Sequence, residues 1–264
     1  MDMDESLFER IADLASYLKL DIDSQELALL SEKEQLSQSQ MEAILKLMQH
    51  LSDKKHETVI DTLLRMSRLP VKSPKTFENY DFSRIHGKDT ESLKNLSLLT
   101  ELYAGKNIAL IGPTGVGKTH LAEAYGRACC NKGFKTYFLK ASELNEKFTN
   151  ARKADRTARA IASLVKPSCL IIDEIGKTTF DKENTLLFFD MVDRRYEKDG
   201  PNTMIFTSNK QPSGWSEYFT GKDDLLCALD RIFDNARVFM IKGPSYRGRK
   251  CETLAVEVNS DVTK

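Results

Sequence analysis

The eight residues 112–119, near the middle of the chain, have the types and the spacing of a phosphate-binding loop. They satisfy the pattern Gly-x-x-x-x-Gly-Lys-Ser/Thr, between an apolar strand and a helix. Glycines let backbone N–H groups converge on a phosphate, and the start of a helix adds a positive dipole end. We expect Lys118 to reach the β and γ phosphates of a nucleotide and the Thr119 hydroxyl to coordinate Mg²⁺. The predicted nucleotide contacts are Gly112, Pro113, Thr114, Gly115, Val116, Gly117, Lys118, Thr119 and His120.

Two adjacent carboxylates supply the acidic groups that such a loop requires. Asp173 and Glu174 end an apolar strand that follows the loop further along the chain. Asp173 would hold Mg²⁺ through water, and Glu174 would orient and deprotonate an attacking water molecule. The pair favours hydrolysis over phosphate transfer, because a small-molecule kinase needs an acceptor pocket rather than a water-directing glutamate.

A third apolar strand, 203–207, ends in Ser208 and Asn209. A polar side chain at this tip, Asn209, could sense the γ-phosphate and help to position water. Serine and asparagine also favour turns, so simple strand termination is the competing interpretation. We predict a catalytic role for Asn209 because the two earlier motifs frame it.

Short apolar strands alternate with longer helices from residue 107 onward. Helices between successive strands imply crossover connections, and therefore an α/β fold with a mostly parallel, five-stranded sheet flanked by helices. Before this region, an amphipathic helix is predicted through Leu93, Leu96, Leu98, Leu99 and Leu102, ending at Gly105. The predicted strands are 107–111, 135–139, 169–172, 203–207 and 238–241.

The segment 1–57 differs from the rest of the chain in charge and pattern. It holds 13 acidic and 6 basic side chains, a net charge of −7, and no glycine or proline. Apolar residues recur at helical spacing around Ile11, Ile44 and Ile60, which indicates a small all-α domain whose apolar faces either pack on each other or need a partner. We expect this domain to interact with a partner or with DNA. Pro70 and Pro74 break the helical pattern, so we place the domain boundary there. The predicted domains are 1–70 (helical), 71–250 (α/β) and 251–264 (a short tail).

Composition and charge restrict the class of protein. The 264 residues are 41% hydrophobic and 30% charged, with 39 basic and 39 acidic side chains, which is typical of a globular chain. No apolar run approaches the ~20 residues that span a bilayer. The acidic start lacks the basic region of a signal peptide, and the five cysteines include no Cys-x-x-Cys pair. We therefore expect a cytoplasmic protein with reduced thiols, without disulfides or a zinc site.

The three motifs, in this order, resemble those of AAA+ ATPases. The residues around them narrow the resemblance to the IstB family of transposition ATPases and to the related DnaC-type helicase loaders. The resemblance covers roughly 60–250 and implies a P-loop AAA+ core without a full C-terminal lid, because too short a segment follows Arg247 to form one. The matching positions are 74–82, 207–209, Pro212, Trp215, Tyr218, Phe219, 229–233 and 243–247.

Residues at positions that match the family motifs acquire roles from the resemblance. Lys118 and Thr119 match the Walker A motif, which implies that the nucleotide is ATP. Asp173 and Glu174 match Walker B, as the Mg²⁺-holding and the catalytic carboxylate respectively. Asn209 matches sensor 1. The implied activity is the Mg²⁺-dependent hydrolysis of ATP to ADP and phosphate.

Two arginines match further family positions, and one lysine departs from the family. Arg231 matches the arginine finger, a catalytic residue that reaches the γ-phosphate bound by a neighbouring subunit, which implies a homo-oligomer. An ordinary salt bridge on a helix surface is the alternative interpretation of Arg231.

Arg247 matches an arginine with a sensor-2-like role in nucleotide binding. Lys177 stands where many relatives have an aromatic residue, and we expect this change to leave the catalytic pair untouched.

The stretch 140–166 is basic, with seven basic and three acidic side chains and a local net charge of +4 (7 − 3). Arg152, Arg156 and Arg159 recur at i, i+4 and i+7, so on one helix they would share a face that neutralises phosphates without reading bases. The corresponding region lines the DNA channel in initiator-like relatives, which supports DNA binding. A solvated charged helix is the alternative. The predicted DNA contacts are Lys147, Arg152, Lys153, Arg156 and Arg159.

These features favour an ATP-dependent helper of DNA transposition. By the resemblance, ATP binding assembles subunits into an oligomer on double-stranded DNA, where the complex engages a DDE transposase. The alternative is a DnaC-like loader that grips a replicative helicase and single-stranded DNA and shares every catalytic residue. A third interpretation is a nucleotide-switched scaffold that binds ATP and DNA but scarcely hydrolyses ATP. Phe77, Tyr80 or Phe82 could contact the base, although such aromatic residues more often belong to a core.

Overall fold

The structure, a computed structural model, describes residues 3–220, 222–243 and 245. Contacts between residues divide the chain into two compact units, one that ends at Met66 and one that begins at Ser67, with 131–133 grouped with the first. The predicted tail, 251–264, lies outside the described residues. Within the described part of the chain, no helix is long and apolar enough to cross a membrane.

The division between the units falls before the predicted boundary at Pro70. Ser67 belongs to the second unit because its carbonyl oxygen accepts a hydrogen bond from the Phe138 N–H at 2.8 Å. Leu69 is buried in the core of the same unit. Proline marks where the helical pattern stops, whereas these two residues already pack with the sheet.

The first unit consists of the helices α1 (Met3–Leu18), α2 (Ser24–Lys33) and α3 (Gln38–Met66). One buried residue from each helix, Ile11, Leu27 and Met41, forms the centre of its core. The predicted apolar stripes around Ile44 and Ile60 lie on the same helix, α3, which runs unbroken for 29 residues. The expected helical N-terminal region is therefore present.

The prediction of a single amphipathic helix that ends at Gly105 is wrong. The segment forms α4 (Thr90–Lys94), a 3₁₀ turn (Asn95–Leu98) and α5 (Thr100–Tyr103). Leu99 has a left-handed φ of +58° and separates the last two. The buried leucines at 93, 96, 99 and 102 are spaced by three, which matches the three-residue turn of a 3₁₀ helix better than the 3.6-residue turn of an α-helix.

The second unit is built on a five-stranded parallel sheet, as predicted. The strand order is β2-β3-β4-β1-β5, and all four neighbouring pairs run parallel. The observed strand ends lie within three positions of the predicted ones. The strands are β1 (Asn107–Ile111), β2 (Thr136–Lys140), β3 (Cys169–Ile175), β4 (Thr203–Ser208) and β5 (Ala236–Met240).

Helices cover both faces of this sheet: α6 (Lys118–Asn131), α7 (Ala141–Lys153), α8 (Thr157–Val165), α9 (Lys182–Tyr196) and α10 (Lys222–Asp234). Successive strand residues point to opposite faces. On β3, Ile172 belongs to the core that holds Phe148 of α7 and Met191 of α9. Its neighbour Ile171 belongs to the other core, with Leu121 of α6. Burial on both faces explains why the strands are continuously apolar.

Candidate nucleotide site

The phosphate-binding loop connects the end of β1 at Ile111 with the start of α6 at Lys118. Gly115 and Gly117 have φ angles of +85° and +94°, in the left-handed region that other residues rarely adopt. A Cβ atom on Gly117 would also lie 2.8 Å from the ring of Tyr80. The loop therefore needs glycine at these positions, for its backbone turn and for the close approach of the aromatic ring.

Lys118 joins two of the predicted motifs. Its ammonium group donates hydrogen bonds to the carbonyl oxygens of Gly112 at 2.8 Å and Pro113 at 2.7 Å. It also donates to Oδ1 of Asn209 at 2.7 Å, and the Asn209 amide nitrogen donates to the Thr114 hydroxyl at 3.0 Å. The first and the third motif thus meet around one buried cation.

Asp173 lies inside β3 and is buried. Its Oδ1 accepts hydrogen bonds from the hydroxyl of Thr119 at 2.9 Å and from the hydroxyl of Thr207. Carboxylate and hydroxyl oxygens suit Mg²⁺, so Thr119 and Asp173 fit the predicted metal site. No group of three or more His, Cys, Asp or Glu side chains in the described part of the chain could hold a metal. A Mg²⁺ ion here would therefore also need phosphate or water oxygens.

Thr207, at the end of β4, is a contact that the sequence analysis did not assign. Its hydroxyl donates to Asp173 and accepts a hydrogen bond from the Glu174 N–H at 3.0 Å. One side chain therefore orients both residues of the Walker B pair. The available signal was a hydroxyl-bearing residue at the end of an apolar strand, shortly before the predicted Asn209.

Glu174 has an unusual backbone for a residue within a strand. Its φ is +64°, and the pairing of β3 with β4 shifts register between Ile172 and Ile175. A non-glycine residue in the left-handed region costs on the order of 1–3 kcal/mol, and such residues cluster at functional sites. The Glu174 side chain lines a cavity of about 270 Å³ beside Lys118.

Two lysines without a predicted role, Lys177 and Lys210, also line this cavity. The Lys177 ammonium donates a hydrogen bond to Oε1 of Glu174, and the Lys140 ammonium, at the end of β2, lies 3.8 Å from Oε2. The expectation that Lys177 leaves the catalytic pair untouched is therefore wrong. The Lys177 N–H donates to the Glu174 carbonyl at 3.3 Å, which closes a turn that brings the two side chains together.

A second cavity, of about 620 Å³, adjoins the first glycine of the loop. It lies between β5 and the segment 85–93, and Ile241 is part of its lining. The Ile241 N–H donates to the Ile111 carbonyl at 2.7 Å, and a Cβ on Gly112 would lie 2.1 Å from the Ile241 carbonyl oxygen. Ile241 therefore connects this cavity to the start of the phosphate-binding loop.

The family described as IstB-like ATP binding protein matches residues 14–253. The chain belongs to this family. A protein from Geobacillus stearothermophilus, described as a putative ATP-binding protein of insertion sequence IS5376, is 32% identical to this chain over 212 residues. The aligned residues cover 80% of this chain and 82% of that protein. The chain is 35% identical over 193 residues to the corresponding protein of insertion sequence IS21 from Pseudomonas aeruginosa, over 73% of this chain and 71% of that one.

Solved structures share the fold of this IstB-like chain. AMPPCP-bound DnaA from Aquifex aeolicus matches with a TM-score of 0.54 and 20% identity, over 66% of this chain and 51% of that one. The DnaC helicase loader matches with a TM-score of 0.50 and 18% identity, over 63% of this chain and 98% of that one. At these identities the similarity shows the α/β P-loop AAA+ fold alone.

His120 is not among the residues that line the cavity beside Lys118, and its contact with the nucleotide stays a prediction. Its Nε2 lies 2.9 Å from the Thr76 carbonyl oxygen, and its ring is edge-on to Tyr80 with centroids 5.0 Å apart. Burial lowers the pKa of this imidazole from its ordinary value. Tyr80 is buried, and Phe77 and Phe82 pack against the same core, so of the two interpretations of these aromatic residues the core one fits.

Glu123 is a buried acidic residue behind the site that the sequence analysis missed. It lies one turn after Thr119 on α6, is 6% exposed, and its Oε2 has no hydrogen-bond partner among the described residues. Burial, and then the negative charge of Asp173, raise its pKa to about 7. This carboxyl group is therefore protonated at pH values where ordinary glutamates are charged. Its position one helical turn after Thr119 was the one available signal.

Arg231, the predicted arginine finger, does not line the cavity of its own chain. It lies in the last turn of α10, where its Nε is 2.9 Å from Oδ1 of Asp193 on α9. Its guanidinium carbon lies 5.3 Å from the centre of the Phe189 ring. Within one chain, Arg231 therefore forms the helix-surface ion pair that was the alternative interpretation. Arg247 lies outside the described residues, and its contact with the nucleotide stays a prediction.

The predicted DNA contacts do not lie on one helix. Helix α7 ends at Lys153, and Asp155, with a left-handed φ of +50°, separates it from α8. The expectation that Arg152, Arg156 and Arg159 share one helical face is therefore wrong. Arg152 lies in the last turn of α7, whereas Arg156 and Arg159 lie at the start of α8.

Two of these basic residues have partners within the chain. The Arg152 guanidinium donates to the Asp181 carboxylate at 2.9 Å and lies 3.5 Å from that of Glu183. The Lys147 ammonium lies 5.8 Å from the centre of the Tyr137 ring. The three exposed members of the predicted set are Lys153, Arg156 and Arg159.

Proposed function

We propose that this IstB-like chain hydrolyses ATP and that it uses this reaction to assist the transposition of an insertion sequence. The observation that carries the proposal is the convergence of three sequence motifs on one cavity. The Lys118 ammonium lies 2.7 Å from Oδ1 of Asn209, and the Thr119 hydroxyl lies 2.9 Å from Oδ1 of Asp173. Glu174 lines the same cavity as Lys118, Thr119 and Asn209. A cation, a metal-binding pair and a carboxylate in this arrangement suit attack by water on a terminal phosphate.

Each of these side chains has a proposed role. Lys118 binds the β and γ phosphates, and Asn209 contacts the γ phosphate and orients water. Glu174 accepts the proton of that water as its oxygen attacks the γ-phosphorus and ADP leaves. Thr119 and Asp173 would hold Mg²⁺, which when bound neutralises phosphate charge.

We propose that the nucleotide occupies both cavities beside the loop. The 270 Å³ cavity next to Lys118 is smaller than the ~300–1,000 Å³ of typical small-molecule sites, so it suits the phosphates rather than a whole nucleotide. The 620 Å³ cavity is lined by His86, Phe239 and Ile241, and Ile241 approaches Gly112. It offers space for the base and the ribose.

We propose that hydrolysis depends on assembly of a homo-oligomer on double-stranded DNA. Arg231 would exchange its ion pair with Asp193 for the γ phosphate held by a neighbouring chain. The exposed side chains of Lys153, Arg156 and Arg159 would contact DNA phosphates without reading bases. The contacts with DNA phosphates release bound counterions, which makes assembly on DNA sensitive to salt.

The protein partner that we propose is a DDE transposase. Relatives at 32% and 35% identity are described as proteins of insertion sequences, which favours transposition over helicase loading. The similarity to the DnaC loader, at 18% identity, concerns the fold alone. The segment 1–57 carries a net charge of −7, which suits contact with a protein better than contact with DNA.

Phosphate release with and without duplex DNA tests the enzymatic proposal. Lys118→Ala should lose both ATP binding and turnover, because it removes the cation at the phosphates. Glu174→Gln should keep binding but lose at least ~100-fold in turnover, the usual contribution of a general base. Lys182→Ala, an exposed charge change at the start of α9, serves as the control. Equal, near-background rates in the parent and in Glu174→Gln would favour the nucleotide-switched scaffold.

A further inference from the structure

We propose that Lys177 is a positioning residue, which holds Glu174 in an ion pair until the phosphates of ATP enter the same cavity. The inference rests on the proposed hydrolysis of ATP and adds a control of its catalytic base. It concerns a residue for which the sequence predicted no role. The contacts, the backbone turn and the exposure of the pair support it.

The Glu174 carboxylate lies between two ammonium groups. Lys177 donates a hydrogen bond to Oε1, and the Lys140 nitrogen lies 3.8 Å from Oε2. A general base must present one oxygen to the water that it deprotonates. In this arrangement an ammonium group lies near each oxygen, so an incoming water competes with Lys177 for Oε1.

The backbone at the end of β3 builds this contact into the chain. Glu174 and Gly176 both have left-handed φ angles, of +64° and +90°. The Lys177 N–H closes the turn through its 3.3 Å hydrogen bond to the Glu174 carbonyl. The chain reverses within this turn, and the Lys177 side chain returns to Glu174. The pairing is therefore a consequence of the turn, not of two long side chains that meet on a surface.

The exposure of the pair allows phosphates to break it. The Lys177 side chain is 51% exposed and that of Glu174 is 31% exposed, and ion pairs this close to solvent are weak. Lys177 also lines the cavity in which we place the phosphates. A triphosphate carries more negative charge than one carboxylate, so it competes for the ammonium group. The base is then released by the binding of its own substrate.

A double-mutant cycle on the affinity for AMPPCP tests the exchange without any turnover. Glu174→Gln should tighten binding about two- to fivefold, because Lys177 no longer has a carboxylate partner. Lys177→Met should weaken binding. In the Lys177→Met background, Glu174→Gln should have an effect at least twofold smaller, since the competition no longer exists. Purely additive effects would overturn the inference. A cycle with Lys182→Met, outside the cavity, should be additive and is the matched control.

Steady-state kinetics supplies a second readout. Lys177→Met should raise KM for ATP and leave kcat within about twofold of the parent, because it removes a cation from the phosphates, whereas bound ATP has already freed the base in the parent. Lys177→Arg should restore KM toward that of the parent. An unchanged KM, or a lower kcat, would overturn the inference.

The outcomes separate this inference from the proposed function. Failure of the parent to bind AMPPCP, or to release phosphate above background, would refute the proposed hydrolysis and the inference that rests on it. Full turnover by Glu174→Gln would refute Glu174 as the base, and with it the inference. Additive effects in the cycle, with binding and Glu174-dependent turnover intact, would refute the role of Lys177 alone.

Discussion

Replacing Glu123 with glutamine should remove a pH-dependent loss of stability that this buried carboxyl group causes. The side chain is 6% exposed, and burial followed by the charge of Asp173 raises its pKa from 4.5 to about 7. Between these two pH values the folded state binds more protons than the unfolded state. The free energy of unfolding therefore falls as the pH rises from about 4.5 to about 7. At 1.36 kcal/mol per pKa unit, the whole loss is up to about 3 kcal/mol.

Urea denaturation of both proteins at several pH values from 5 to 8 measures this effect. Fluorescence of Trp215, the single tryptophan, reports on the unit that contains Glu123, because its side chain is fully buried there. We expect the variant to gain about 2–3 kcal/mol relative to the parent between pH 5 and pH 8, with unchanged m values. The change with pH is the informative quantity, since the amide hydrogens of glutamine add a constant difference.

Glu146→Gln is the matched control, because Glu146 is exposed on α7. Its stability difference from the parent should not change over the same pH range. Parallel pH profiles for Glu123→Gln and the parent would refute the reasoning. So would a difference that shrinks as the pH rises, because a carboxyl group with a raised pKa cannot produce that sign.

Four further predictions follow from other contacts. Thr207→Val removes the hydroxyl that contacts both Asp173 and Glu174. We expect ATP turnover to fall at least tenfold and AMPPCP affinity to change less than threefold, and unchanged turnover would contradict this role. Arg195 is fully buried and donates hydrogen bonds to the carbonyl oxygens of Leu164, Pro167 and Thr203. Arg195→Leu should therefore lower the free energy of unfolding by at least ~3 kcal/mol in urea titrations, and a smaller loss would show that water replaces the guanidinium. Reversing the charges of Arg156 and Arg159 should reduce the log–log salt slope of duplex binding by about 2, and an unchanged slope measured by anisotropy would exclude both as phosphate contacts. Arg231→Ala should abolish DNA-stimulated turnover, and mixing it with Lys118→Ala subunits should restore some activity if Arg231 acts on a neighbouring chain; no recovery would count against action in trans.

The parts of the molecule that the sequence predicted correctly depend on neighbours in the chain. The phosphate-binding loop is defined by eight adjacent residues, and its glycines adopt the backbone that only glycine tolerates well. The five strands are short apolar runs, so their locations follow from local pattern, and crossover helices then require them to be parallel. The lysine and the asparagine of the first and third motifs meet because β1 and β4 pair side by side.

Two of the predictions that failed depend on single backbone angles. Asp155 and Leu99 each have a left-handed φ, and each interrupts a helix that the apolar or basic spacing predicts as continuous. Leucine gives no signal of this conformation, and aspartate adopts it more often than most residues but too rarely to predict the break at Asp155. The cost of the left-handed conformation is offset by tertiary packing, such as the complete burial of Leu99, which a periodicity argument does not include.

The sequence by itself determined the fold class, the phosphate-binding loop and the residues that we expect to hold metal and water, because those depend on short stretches of chain with strict steric needs. Only the tertiary structure decided which charges surround the proposed catalytic glutamate. Lys177 and Lys140 reach Glu174, and Thr207 reaches both carboxylate residues, because strand register and one left-handed turn place them there. Side chains on different strands become neighbours through that geometry, and it leaves no local pattern in the sequence.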